Sequence, residues 1–552
     1  MSDPVAEPLF SPNDSWDPLH EPTWPDEHWS TANVGEALPG VLTPLGWTLW
    51  GPTIERAMRQ TMVAMGAFPK PEAALPEEFR GRIIRIFYGR GALSVDCLAR
   101  LGDCMPGTTG QQVVAGVYGE VPDSIAFHPT LKRLPFISVG LPREHFTISK
   151  RLRAAVAETA AWWPEQAVRV PSLDHADAVA AFVDATERFN ANVGLQATAL
   201  FCAVQPMFDA LTRLSAKTGV GDATSLSGGY GDVPETRVVA DLWRASRGEI
   251  DLSEVVRHHG YHGPLEGEIS ARVWREDDTP LRRMVEGYAA MPDSSDPRLR
   301  EGVLRAERED LERQVLAALP APLRPVVKGV FTRAAHCIPL RGVAKGAFLQ
   351  AFDICRAAAR RTGECLAKED RLDDPEDVFY LTIDELLAPA LPAGIKDTIV
   401  LRRNRRAEYE QYRLPSHWRG MPPPIPIGEG AATGDSAAGE DQAAIIPGLG
   451  VSPGVVEGTA RVVTDPGFAD VESGEILVSP TTDPSWSSIM FISVGLVVDI
   501  GGYLSHAAIV ARELGIPCVV NTIHGSRAIR TGDRLRVDGN AGTVEILARA
   551  GG

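Results

Sequence analysis

Between Pro422 and Ala444 the chain changes character: Pro-Pro-Pro-Ile-Pro-Ile gives way at Gly428 to a run of Gly, Ala, Glu, Asp, Thr, Ser and Gln without one large apolar residue. A stretch of that composition cannot bury enough surface to offset the entropy of ordering it, and it reads as a linker. The sequence is therefore expected to fold as separate parts: an amino-terminal extension over 1–30, a large domain over 31–421, a flexible linker over 422–444 and a small domain over 445–552. A flexible segment of about 20 residues has a root-mean-square span of roughly 25 Å and reaches about 65 Å when extended. Such a tether lets its cargo travel.

The two sides of the linker have different periodicities. Upstream, Ala176 to Leu214 and Leu299 to Leu319 place apolar residues at helical spacing among Ala, Glu and Arg, and Gly219 to Pro234 and His258 to Glu268 read as loops. Downstream, short β runs alternate with turns: Thr459–Val463, Ile476–Val478, Leu496–Ile500, Cys518–Val520, Arg534–Asp538 and Gly542–Ile546. A single helix is expected from about Ser505 to Leu514, stopped by Gly515 with Pro517 beyond. The expected fold class is multidomain, a large mainly α-helical (α+β) domain followed by a small β/β/α domain.

A formal charge of −17 opposes binding to nucleic acid or an anionic membrane, and no apolar run is long enough to span a bilayer. The seven cysteines lack metal-ligand spacing, and the amino terminus lacks the basic start and apolar stretch of a signal peptide. A reduced, cytoplasmic setting is the plain expectation, with no structural metal. His259 and His262 lack a third convincing ligand nearby in the sequence.

His506 stands in the first turn of the expected downstream helix, just after Gly501 and Gly502. Helix-start N–H groups and the positive end of the helix dipole favour an anion there, and the glycines let backbone approach it. A neutral imidazole is also a competent nucleophile. Ser505 serves either as a helix cap or as a phosphate ligand, and Arg512 either as a solvated side chain or as a phosphate contact.

The string Gly501-Gly-Tyr-Leu-Ser-His-Ala-Ala-Ile-Val-Ala-Arg-Glu-Leu-Gly-Ile-Pro resembles the mobile domain of the phosphoenolpyruvate-utilising enzymes. The resemblance runs from Leu449 to Ile546, through Gly450-Val-Ser-Pro-Gly, Thr482-Asp-Pro-Ser-Trp and Val537-Asp-Gly. It implies a swivelling phosphohistidine domain with His506 as the phosphorylated residue. Upstream, Asn33-Val-Gly-Glu-Ala-Leu-Pro-Gly, Thr43-Pro-Leu, Leu340-Arg-Gly-Val-Ala-Lys and Asp373-Asp-Pro-Glu-Asp-Val-Phe-Tyr-Leu-Thr resemble the substrate domain of the rifampicin phosphotransferases and of the phenylphosphate synthase alpha subunits.

Arg341 and Lys345 lie four residues apart on a helix expected after Pro339, a spacing at which two cations repel unless an anion lies between them. They are the candidate acceptor-site pair. The resemblance puts an Arg and a Lys at these positions but an acidic residue where Gly342 stands, so the proton acceptor is sought elsewhere. His262 or Glu268, in the Gly- and Pro-rich loop, could fill that role.

The chain has no GxxxxGK[ST] loop. The resemblance then implies a kinase-type transferase in which a separate ATP-grasp subunit, holding ATP and Mg2+, charges His506, and a hydroxyl of an aromatic or hydrophobic small molecule accepts the phosphoryl group; no cofactor is bound tightly by this chain. Two alternatives stand beside it: a self-charging antibiotic phosphotransferase of the rifampicin type, and a non-catalytic phosphocarrier or regulatory module.

Overall fold

The structure is a computed structural model that describes all residues other than 1–15, 32–33, 107, 119–120, 122–123, 222, 231–233, 428–444, 464–470, 483–485, 503–504 and 551–552. The expected linker from Gly428 onward, half of the expected amino-terminal extension, Asn33 and the middle of the Thr482-Asp-Pro-Ser-Trp string lie outside the described residues. The chain forms the expected class, a mainly helical part and a carboxy-terminal sheet domain, and it divides into two compact units. The first comprises residues 1–198, 267–271 and 347–436; the second comprises 199–266, 272–346 and 437–552.

The first unit is built on long helices, among them Pro44–Ala64 and Leu134–Arg169, beside a four-stranded antiparallel patch. That patch runs in the order Ile84–Phe87, Arg90–Ser94, His28–Ser30, His417–Arg419, and Trp29, Phe87 and Trp418 pack together on it. Two of the strings singled out in the sequence prove to be helix starts. Thr43 caps Pro44–Ala64 by accepting the Gly46 N–H, and Asp374 closes a capping box with Asp377 ahead of the short helix Pro375–Tyr380. Each device satisfies backbone N–H groups that a helix leaves open at its first turn.

In the second unit the helices that matter are α1 (Pro234–Ser246), α2 (Leu252–His259), α3 (Thr279–Ala289), the opening turns of α4 (Leu340–Lys368), α5 (Ser487–Ile492) and α6 (His506–Leu514). The strands are β1 (Ile445–Pro447), β2 (Leu449–Ser452), β3 (Val455–Val462), β4 (Glu475–Ser479), β5 (Gly495–Val498), β6 (Cys518–Val520), β7 (Arg534–Asp538) and β8 (Thr543–Ala548). They join in one sheet in the order β1-β8-β7-β3-β4-β5-β6-β2. Strands β3 to β6 run parallel, with Leu477 beside Leu496 and Leu496 beside Cys518; the remaining pairs are antiparallel.

Parallel strands need a crossover on a face of the sheet, and α5 and α6 supply two. The strands they join, β4, β5 and β6, are buried at every residue, as expected where both faces are covered. On one face Leu477, Leu496 and Val498 pack with Met490, Ala508 and Val510 of the crossover helices and with Trp243 of α1 and Tyr288 of α3. The opposite face carries Ile476, Val478, Val497, Val519, Leu535 and Val544. Each such side chain taken fully out of water contributes roughly 1.5–3 kcal/mol, so α6 is fixed by its apolar face rather than by its nine residues of intrinsic helix tendency.

All seven cysteines are unpaired thiols, and among the described residues no helix is long and apolar enough to cross a membrane.

Candidate functional site

The local signals around His506 work as the residue types demand. Ser505, in extended backbone, accepts the Ala508 N–H at 3.3 Å and caps α6, so His506 becomes the first helical residue. Gly515 ends the helix in the left-handed region at φ 56°. At Gly501 a side chain would meet the Oγ of Ser505 at 3.0 Å and Val520 at 3.2 Å, whereas a Cβ on Gly502 would enter open space. Gly501 thus lets the strand end pass close to the cap, and Gly502 keeps an unobstructed backbone beside it.

His506 is buried, with 6% of its surface exposed. Its Nδ1 lies 3.2 Å from the Thr482 hydroxyl and its Nε2 lies 3.4 Å from the Ser487 hydroxyl. Burial, followed by the positive charges of Lys345 and Arg341 and by His262 when it is protonated, holds its proton affinity well below the usual imidazole range. The ring is therefore neutral at pH 7 and keeps a lone pair for nucleophilic attack. The same cations that repel a proton attract a phosphoryl group.

Arg341 and Lys345 sit in the first two turns of α4, where Pro339 precedes the helix as the sequence anticipates. The third residue that bears on His506, His262, lies beyond the end of α2. Its N–H donates to the carbonyl of His259 at 3.0 Å, its carbonyl accepts the N–H of Trp274 at 2.8 Å, and its ring packs against Tyr261 and Trp274. A side chain on Gly263 would strike the Arg272 carbonyl at 2.7 Å, so only glycine permits this close pairing of chain segments.

Nδ1 of His262 lies 2.5 Å from Oε1 of Glu266, and Lys345 Nζ lies 4.0 Å from the other oxygen of the same carboxylate. Nε2 of His262 is buried and has no hydrogen-bond partner among the described residues. An imidazole held at one nitrogen by a carboxylate and open at the other is the arrangement of a general base.

Glu268, the acidic candidate read from the sequence, belongs to the first unit. One oxygen accepts the Thr43 N–H at 2.9 Å, and the other accepts the Thr43 hydroxyl at 2.7 Å and the Ser270 N–H and hydroxyl at 2.9 and 2.8 Å. The acid that meets His262 is Glu266, two residues earlier.

Beside His506 opens a pocket lined on its apolar side by Val204, Phe208, Tyr230, Ile338, Pro339 and Ile509, with Arg341 and Arg512 at its polar edge. Arg512 also donates from Nε to the Ala508 carbonyl at 2.7 Å, which anchors the side chain along α6. Val204 closes a single π-helical turn, Leu200–Val204, two residues before Pro206. That wider turn lets a helix continue past a proline and is common where helices border functional sites.

Residues 471–542 match the model of the PEP-utilising enzyme mobile domain, and residues 249–342 match that of the rifampicin phosphotransferase fourth domain. The chain carries a mobile domain of the PEP-utilising enzymes. Its histidine, His506, lies inside the first match, while His262, Glu266 and Arg341 lie inside the second. The chain is similar to rifampicin phosphotransferase of Streptomyces sviceus, 35% identical over 261 residues, covering 47% of this chain and 29% of that protein. Rifampicin phosphotransferase of Bacillus subtilis is 36% identical over 193 residues, covering 35% and 22%. An uncharacterized protein of Mycobacterium tuberculosis is 31% identical over 297 residues, covering 53% and 30%. The matched stretches thus span less than a third of these relatives' own length.

Three residues that meet the mobile-domain histidine and its surroundings carry no signal of their own in the sequence: Thr482, Ser487 and Glu266. Thr482 opens the Thr482-Asp-Pro-Ser-Trp string but nothing in its spacing assigns it a role, and Glu266 stands four residues after His262 outside any helix, where spacing carries no contact information.

Proposed function

We propose that this chain transfers a phosphoryl group from His506 to a hydroxyl of an aromatic or otherwise hydrophobic small molecule. What carries the reading is the meeting of a neutral, buried imidazole with Arg341, Lys345 and the His262–Glu266 pair inside one unit. The acceptor enters the apolar pocket; its hydroxyl oxygen attacks phosphorus, its proton passes to Nε2 of His262, and the N–P bond breaks with its electrons returning to the His506 ring. Arg341 and Lys345 stabilise the charge on the transferring group, and Glu266 holds the His262 ring and the positive charge it gains. Of the two acceptor types the sequence suggested, the relatives' names favour the rifampicin type over the phenol type.

Charging is the other half of the cycle. At 6% exposure the imidazole is out of reach of a bulky nucleotide on a second protein, so in this reading the mobile domain swings away to a separate ATP-grasp subunit that holds ATP and Mg2+. The names and greater length of the relatives favour a second version, in which charging and transfer occur on one polypeptide. Calorimetry of the chain with Mg-ATP separates the two: binding supports self-charging and its absence supports the subunit.

The decisive test labels the chain with γ-phosphate-labelled ATP in the presence of the charging protein, then adds a rifamycin or a phenol. Label on the wild type that moves to the acceptor, and no label on His506→Ala, is the expected outcome. Label that persists on the alanine variant overturns the proposal.

A further inference from the structure

We propose that Asp241, His258 and His259 form a binding site for a divalent transition-metal cation of the zinc class. Asp241 lies on α1, and the two histidines form the last turn of α2. Oδ2 of Asp241 is 2.9 Å from Nε2 of His259 and 3.6 Å from Nδ1 of His258, and one donor atom from each of the three residues lies within 4.8 Å of the others. Tetrahedral zinc with bonds of about 2.0–2.1 Å needs donor atoms about 3.3–3.4 Å apart. The two carboxylate–imidazole separations bracket that spacing, and the half-exposed His258 side chain has room to close the third.

The donor set selects the ion. Two imidazole nitrogens and one carboxylate oxygen suit zinc or cobalt, whereas magnesium and calcium seek oxygen throughout. The second carboxylate oxygen of Asp241 accepts from Arg244 at 3.0 Å, the outer contact that fixes a ligating carboxylate. Three protein ligands leave a fourth position for water on the exposed side of His258.

The site reaches further than its ligands. The His259 ring stacks on His262 with centroids 6.4 Å apart and planes 29° apart, and its carbonyl holds the His262 N–H. A bound cation would tie α1 to the segment that carries His262. This consequence for transfer rests on the function proposed above, whereas the binding itself does not.

The test uses the full chain stripped of metal with a chelator, then titrated with Co2+ for its visible ligand-field absorption and with Zn2+ by calorimetry. One equivalent is expected to bind at micromolar concentration, with a rise in melting temperature because the ion binds the folded state alone. His258→Ala, at an exposed position, is expected to weaken binding at least about tenfold by loss of one of three ligands. His506→Ala is expected to bind as the unaltered protein does, which separates this proposal from the phosphotransfer reading. Absence of stoichiometric binding by folded protein, or binding that His258→Ala and Asp241→Asn both leave intact, overturns it.

Discussion

Nδ1 of His262 lies 2.5 Å from Oε1 of Glu266, and the opposite nitrogen of the same ring faces no hydrogen-bond partner among the described residues. The carboxylate fixes which nitrogen carries the proton and leaves the other as acceptor. His262→Ala should therefore slow transfer from phosphorylated His506 to the acceptor by about 10²–10⁴-fold, the usual contribution of a general base. Loading of His506 should continue at its normal rate, since the donor step does not use this base. Glu266→Gln, which keeps the shape but not the charge, should lower kcat with little change in KM. Single-turnover measurements of the two half-reactions check both, and a parallel loss of loading would count against the assignment.

Lys345 and Arg341 act on His506 through charge. Lys345→Met should cost about 10²–10³-fold in transfer, the scale found for removing one preorganised group that stabilises developing charge. It should also raise the proton affinity of the unphosphorylated His506 ring, because one of the charges that depress it is gone. Histidine resonances followed by NMR across a pH series report that second effect independently of activity.

The elements that hold these residues are legible in the sequence, and the parts that are not share a physical cause. The helix carrying His506 was marked at both ends by Ser505 and Gly515, residues whose caps depend on local backbone alone. Arg341 and Lys345 can be paired because a four-residue spacing puts both on one face of a helix. Glu266 could not be chosen over Glu268, because both follow His262 in irregular chain. There the outcome turns on Leu265, which adopts φ 55°, a left-handed conformation that costs a residue with a Cβ about 1–2 kcal/mol and that no periodicity announces. Asp241 escaped notice for a related reason: it is 17 and 18 residues from the histidines it meets, on a different helix.

The depressed proton affinity of His506 has two pH signatures. An ordinary histidine, with a pKa near 6.5, is mostly protonated at pH 5.5, whereas the unphosphorylated His506 ring in this environment should take up its proton only at lower pH, as its NMR resonances across a pH series report. For stability the sign is the opposite of a salt-bridged histidine. The unfolded chain binds this proton more readily than the folded one, so the contribution of His506 is fully present above about 6.5 and is lost as pH falls below it. His506→Gln should flatten the acid limb of the denaturation curve, measured by urea titration between pH 7 and pH 5.

Glu268 supplies the contrasting case of a buried acid whose oxygens are engaged within the first unit. Its oxygens accept four hydrogen bonds from Thr43 and Ser270, and its own backbone carbonyl accepts from Arg356 at 3.1 Å. Thr43 in turn caps the helix Pro44–Ala64, so this carboxylate fixes a helix start in the first unit. Glu268→Gln replaces one acceptor oxygen by an N–H₂ group that cannot accept from these donors, leaving buried donors unmet at about 1–3 kcal/mol each. The expected outcome is a melting transition lowered by several degrees, with phosphoryl transfer retained in protein held well below that transition. If the variant melted as the unaltered protein does while transfer alone was lost, the carboxylate would have to be moved from the scaffold to the chemistry.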